Sequence, residues 1–142
     1  MPQNALRAKF GKGLIMMSEA ELQANVALCI RMQYPDVLFH SDFGSGIKLK
    51  PWQAKAQKIQ NGGRRAWPDM FIAEPIDKYA GLFIEFKKEG TRLKKKNGEW
   101  ASDHIYEQAL VLEQLRKKGY KAEFAVGYRE AIELIDDYLG GK

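Results

Sequence analysis

The residues from Trp67 to Lys88, WPDMFIAEPIDKYAGLFIEFKK, constrain this chain more than any other stretch. The first apolar run, Asp69 to Ala73, follows Pro68, and the second, Leu82 to Lys87, follows Gly81. Runs this short, bounded by proline and glycine, read as strands, and together they predict a hairpin. Side chains on a strand alternate between faces, so Leu82, Ile84 and Phe86 share one side while Phe83, Glu85 and Lys87 share the other. Glu85 and Lys87 then stand roughly 7 Å apart on one face. If Asp69 on the neighbouring strand faces the same way, two carboxylates and an ammonium converge on one point. Oxygen ligands of that kind can hold a hard divalent cation, with a lysine beside it to meet developing negative charge.

Each of these residues also has an ordinary structural explanation. An aspartate after a proline caps a local N–H in a turn, and a glutamate beside a lysine on an exposed strand edge forms an ion pair worth little. Jointly those explanations are weaker, because an apolar hairpin with its polar groups gathered at one shared end is an odd way to make a solvated edge.

Upstream, Ser18 opens a helix with Glu21 as its capping-box partner, and Leu22, Val26, Cys29 and Ile30 form one apolar stripe. The cap accounts for Glu21. Glu19 lies three residues before Leu22 and extends the buried stripe, where a bare carboxylate is costly unless a cation or a bound water meets it. Glu19 is therefore the preferred site candidate and Glu21 the second. Tyr34-Pro35-Asp36 ends the helix, and Val37 to His40 reads as a first strand. The following segment, His40 to Arg65, is rich in glycine, lysine and glutamine, with a proline-started helical piece from Pro51 to Gln60. Lys48, Lys50, Arg64 and Arg65, with Trp52 among them, have the make-up of a phosphate-tracking surface with a ring available for stacking. For any single lysine a solvated surface is the simpler account.

After the hairpin, Arg92, Lys94, Lys95 and Lys96 lie in a glycine-flanked loop, expected to be mobile and to contact nucleic acid. Ser102 caps a second amphipathic helix that ends at Gly119, with Ile105, Gln108, Val111, Leu112 and Leu115 on one face. Gln108 is the anomaly there. A buried amide must be hydrogen-bonded; placed against the sheet it could meet a metal-bound water or the lysine, and a core glutamine satisfied by backbone is the alternative. Lys121 to Gly127 alternates as another strand, and Arg129 to Leu139 forms a last helix. The order helix, strand, helical insertion, strand, strand, helix, strand, helix predicts an α/β domain with a mixed central sheet flanked by helices.

Pro68-Asp69 followed by the triplet Glu85-Phe86-Lys87 resembles the signature of the PD-(D/E)XK nuclease superfamily. With SEAELQANV upstream and EQALVLEQLRKKGYKAEFAVG downstream, the chain is similar to the VRR-NUC subfamily from about Met17 to Leu139. That resemblance implies a restriction-endonuclease-like fold and a metal-dependent DNA endonuclease. Asp69, Glu85 and the main-chain carbonyl of Phe86 would hold Mg²⁺ or Mn²⁺, and Lys87 would orient the attacking water or offset charge. Glu19, by its E-x-x-L spacing to Leu22, and Gln108, by its place eleven residues before Gly119, would position the reacting groups. The small stand-alone members occur in phages, so the resemblance also implies a phage or prophage product acting in the cytoplasm, as a homodimer on branched DNA such as four-way (Holliday) junctions. A catalytically inactive basic DNA-binding module and a restriction-type enzyme reading a short sequence stay open beside it.

Composition bounds these readings. The 142 residues fit one domain, read as 18–142 behind a loose basic arm, residues 1–17, with Arg7, Lys9 and Lys12 and no acids. No apolar run approaches the ~20 residues that a membrane helix requires, so no membrane partner is expected. A single cysteine, Cys29, excludes an internal disulfide or a cysteine metal cluster, and His40 and His104 lack metal-ligand spacing, which argues against zinc sites and HNH-type nucleases. A net charge of +5 permits a polyanion partner.

Overall fold

The alternation read from Leu82 to Lys87 divides the molecule into two cores. In the computed structural model, which describes residues 17–42, 48–64 and 66–140, the elements run α1 (Glu19–Gln33), β1 (Phe39–Ser41), α2 (Pro51–Gln60), β2 (Met70–Ile72), β3 (Leu82–Lys87), α3 (Asp103–Lys117), β4 (Lys121–Val126) and α4 (Gly127–Leu139). The strands form one sheet in the order β1-β2-β3-β4. β1 pairs with β2 and β2 with β3 in antiparallel fashion, and β3 pairs with β4 in parallel. The hairpin expected from Asp69 to Lys87 is thus the centre of a mixed α/β sheet, and α3 makes the crossover that a parallel β3–β4 pair requires.

One face of β3, carrying Leu82, Ile84 and Phe86, joins Met70 and Ile72 of β2 under α1 and α4, which contribute Leu22, Val26, Ile30, Ile132 and Ile135. The other face packs Phe83 and Ala122 under α3 through Val111, Leu112 and Leu115. Helices therefore cover both sides of the sheet, as the element order predicts. Phe71 stacks on Phe83 at 4.4 Å between ring centroids, and Tyr120 meets Phe83 edge-on at 5.1 Å, closing the second face.

Local chemistry explains most of the boundaries. Ser18 Oγ accepts from Glu21 N at 3.2 Å and donates to Glu21 Oε1 at 3.1 Å. The expected pair is present, although the carboxylate binds the serine hydroxyl instead of closing a capping box on the serine N–H. Ser102 Oγ caps α3 through Ile105 N at 3.2 Å. Met17, assigned to the N-terminal arm by sequence, is buried in the first core; residues 1–16 lie outside the described residues. The loop carrying Arg92 to Lys96, expected to be mobile, is tied across itself. Lys95 N donates to Glu99 O at 2.7 Å, Gly98 N to Lys95 O at 3.0 Å and Ala101 N to Leu93 O at 2.8 Å. Those cross-loop bonds, which composition does not reveal, fix it as a small hairpin.

α4 begins directly at the end of β4, two residues before the expected Arg129, because Gly127 turns the chain at φ 84°. Gly81 plays a different part. A Cβ there would stand 2.6 Å from Phe71 Cε1 and 2.8 Å from the Ile72 carbonyl oxygen, so the absence of a side chain lets β2 and β3 approach. Gly127→Ala should cost about 1–2 kcal/mol through its left-handed backbone. Gly81→Ala should cost about 1–3 kcal/mol by forcing the hairpin apart. Urea midpoints of the two variants against the parent measure both.

Candidate active site

The register of the hairpin sets the site. Met70 stands opposite Ile84, so one step further Asp69 comes level with Glu85, and residues opposite one another on an antiparallel pair share a face. Beyond the paired residues of β2, Pro68 supplies no N–H to the ladder, and the Phe86 N–H donates to the Asp69 side chain, at Oδ2, 2.9 Å away. Asp69 is therefore aimed by the backbone of the strand that carries its partner.

Glu85 is only 4% exposed and Lys87 only 7%. From α3, Gln108, 5% exposed, donates its Nε2 to Glu85 Oε1 in a short hydrogen bond. Among the described residues, Glu85 Oε2 and Gln108 Oε1 have no hydrogen-bond partner. Such orphaned acceptors in a buried position are costly unless something positive or a donor comes to them. Burial, and next the neighbouring Asp69 charge, pushes the Glu85 carboxyl up to about 9, with Lys87 working in the opposite direction. Asp69 is also raised, chiefly by burial, against the lowering effect of the Phe86 N–H. The pair is short of positive charge.

Glu19 lies close enough for its charge to raise both Asp69 and Glu85, whereas Glu21 is engaged by Ser18. Of the two glutamates at the start of α1, Glu19 is thus the one beside the carboxyl pair. Five residues distant in the fold's own order, then, Asp69, Glu85 and Lys87 from the hairpin, Gln108 from α3 and Glu19 from α1, gather at one end of the sheet. His40 and His104 are exposed. Among the described residues no three Asp, Glu, His or Cys side chains converge as a ready cation cage. The donor set nevertheless fits a hard cation held by two carboxylates and completed by main-chain oxygen and water, since Glu85 Oε2 and Gln108 Oε1 are open acceptors.

Sequence reasoning missed Gln23. Buried on α1, it donates from Nε2 to Ser41 Oγ at 2.6 Å and to the Asp42 carbonyl at 2.8 Å, with the Asp69 carbonyl at 3.3 Å. It thus ties α1 to the strand ends that present Asp69. The signal was available: Gln23 precedes Val26 by three and Ile30 by seven residues, the same polar break in an apolar stripe that marks Gln108. The basic residues are placed more loosely. Arg64 donates to Gln114 Oε1 of α3 at 3.0 Å, on the rim of a cleft of about 250 Å³ that Glu107 and Leu110 also line. Lys48, Lys50 and Lys95 are exposed, Lys94 lies over the Trp100 ring at 4.7 Å, and Arg65 lies outside the described residues.

Compared with known proteins, the chain matches no family model and no curated protein. Among solved structures it is similar to one titled "VRR_NUC domain protein", with 26% sequence identity and a TM-score of 0.64, over 87% of this chain and 89% of that one.

The carboxyl shifts carry a sign. The folded protein keeps a proton on Glu85 that the unfolded chain sheds above its ordinary value of 4.5, and Asp69 acts in the same direction. Their contribution to stability is therefore complete at low pH and is lost as pH rises toward about 9. Metal-free protein should show a melting temperature that falls between about pH 5 and about pH 8, and Glu85→Gln should flatten that fall. Differential scanning calorimetry in chelator checks it; an equal slope in the variant assigns the fall to other groups.

Proposed function

Because this chain belongs to the VRR-NUC family, we propose that it is a divalent-metal-dependent DNA endonuclease, acting as a homodimer on branched DNA such as four-way junctions. The observation that carries the reading is the pairing of half-buried Asp69 with buried Glu85, with open acceptors on Glu85 and Gln108 and with Lys87 beside them on the same strand face as Glu85. Glu85, raised by burial and next by the Asp69 charge, and Asp69, raised chiefly by burial, are relieved either by a proton or by a cation, which is why Mg²⁺ or Mn²⁺ suits them. Asp69, Glu85 and the Phe86 carbonyl would hold the ion, and when bound it supplies Lewis acidity toward the phosphate and a water of lowered pKa.

The chain's own groups do the remaining work. Lys87 donates to a non-bridging phosphate oxygen or to the attacking water, offsetting charge that grows in the transition state. Gln108 fixes the Glu85 carboxylate through Oε1, and Gln23 fixes the main chain at Asp69, so both act as positioning residues. Glu19, close enough for its charge to act on both carboxyls, would help to position the reacting groups. The surrounding basic residues Lys48, Lys50, Arg64, Arg65, Lys94 and Lys95 would contact phosphates, a sequence-independent attraction that falls with salt.

Cleavage of labelled DNA with Mg²⁺ or Mn²⁺ tests the proposal, using a four-way junction, a flap and a linear duplex of the same sequence. Asp69→Ala and Lys87→Ala should each lower the cleavage rate by about a hundredfold or more while leaving DNA binding in place. The junction should be cut in preference to the duplex. A wild-type protein that binds these DNAs and cuts none of them with either metal would leave a binding module. Cutting of the linear duplex at one short sequence would make the chain a restriction-type enzyme.

A further inference from the structure

None of the ten residues of α2 is buried. A helix this short is marginal on its own, and a surface helix ordinarily turns its large apolar residues toward the protein. α2 does the reverse. At 3.6 residues per turn, Trp52, Lys55, Lys58 and Ile59 fall on one face; Trp52 is 67% exposed and Ile59 70%. The half-covered positions are Gln53, Ala56 and Gln57, which are small or polar. The face directed away from the body therefore carries the largest apolar groups of the helix, interleaved with two ammonium groups.

The helix is held to the segment that delivers the first carboxylate. Lys50 N donates to Gln53 Oε1 at 2.9 Å at its start. At its end the Asn61 carbonyl accepts from Trp67 Nε1 at 2.9 Å, and the Trp67 ring lies 5.9 Å from that of Phe83. Asp69 follows Trp67 by two residues, so this outward face is mechanically tied to the site.

Charge identifies what would cover it. From Phe43 to Pro68 the chain contains no acidic residue, but it does contain Lys48, Lys50, Lys55, Lys58, Arg64 and Arg65. A second copy of a chain with net charge +5 meets repulsion there, whereas a polyanion meets attraction. An indole among lysines suits a nucleic-acid strand, since any base can stack on the ring while ammonium groups track the backbone. Bases inside a duplex are already stacked, so an exposed indole finds one only where pairing is interrupted.

We propose that the outward face of α2 is a nucleic-acid contact in which Trp52 stacks on an unpaired base and Lys55 and Lys58 meet the flanking phosphates. The contact rests on the nuclease reading and names the feature of the substrate that this protein selects, a branch point or single-stranded segment beside Asp69 and Glu85.

The test uses the full chain without divalent metal and fluorescence anisotropy on three labelled DNAs: a single strand, a four-way junction and a blunt duplex. Trp52→Ala should weaken binding to the single strand and the junction by about tenfold while changing blunt-duplex binding far less. Trp52→Phe, which keeps a ring, should recover most of the loss. Lys55→Gln with Lys58→Gln should weaken all three alike and reduce the salt slope by about two. Three results overturn the contact: equal binding of all DNAs by wild type and Trp52→Ala; a change in the molar mass of the free protein on Trp52→Ala, which gives the face to a second copy; or a tryptophan emission shift with phosphatidylserine vesicles and none with DNA. Trp52-dependent binding to unpaired DNA by a protein that cuts nothing supports the contact and removes the nuclease reading instead.

Discussion

Two carboxyl groups meet at one end of the sheet, and Glu85, the buried one, cannot be ionised there without compensation. Like charges side by side repel, the more so under cover from water, and that repulsion counts against a net stability that for a folded domain is typically only about 5–15 kcal/mol. Glu85 is deeply covered, with one oxygen held by Gln108 and the other open. Asp69 is tethered by the Phe86 N–H. The fold tolerates this because protons can relieve the pair, and the same arrangement makes it receptive to a cation. Stability and chemistry draw on one interaction, in opposite directions.

That interaction depends on the layers above and below the sheet. Gln108 reaches Glu85 only because α3 packs Val111, Leu112 and Leu115 on the face that carries Phe83. Gln23 reaches the strand ends only because α1 packs Leu22, Val26 and Ile30 on the opposite face. Two glutamines, one from each layer, thus position the two acids. β2 adds a third constraint by its brevity. Its ladder with β3 ends at Met70, and just beyond it the Phe86 N–H becomes the anchor of the Asp69 side chain.

Much of this was legible residue by residue. The limits of β3 and of α2, the Ser102 cap and the division of Leu82, Ile84 and Phe86 from Phe83, Glu85 and Lys87 follow from alternation and turn chemistry. Gln108 showed itself as a polar break in an apolar stripe. Gln23 gives the same signal, next to the glutamates at the start of its helix, which are polar for a different reason, the cap at Ser18. The early start of α4 was hidden because glycine between two elements reads as a terminator until its φ is known. The Arg92 to Lys96 loop looked mobile because its cross-loop hydrogen bonds pair backbone groups, which leave no trace in composition.

By itself the sequence determined which residues could share a strand face, where the helices start, and that two acids and a lysine stand near the ends of adjacent strands. Those are short-range properties, set by the periods of helix and strand and by proline, glycine and capping side chains. Only the tertiary structure decided that α3 lies over Glu85 and closes it from water, that Glu19 lies within reach of both carboxyls, and that α2 turns Trp52 and Ile59 outward. Each of these depends on how layers distant in the chain pack together, and burial, which sets the charge state of a carboxyl, exists only once that packing is complete.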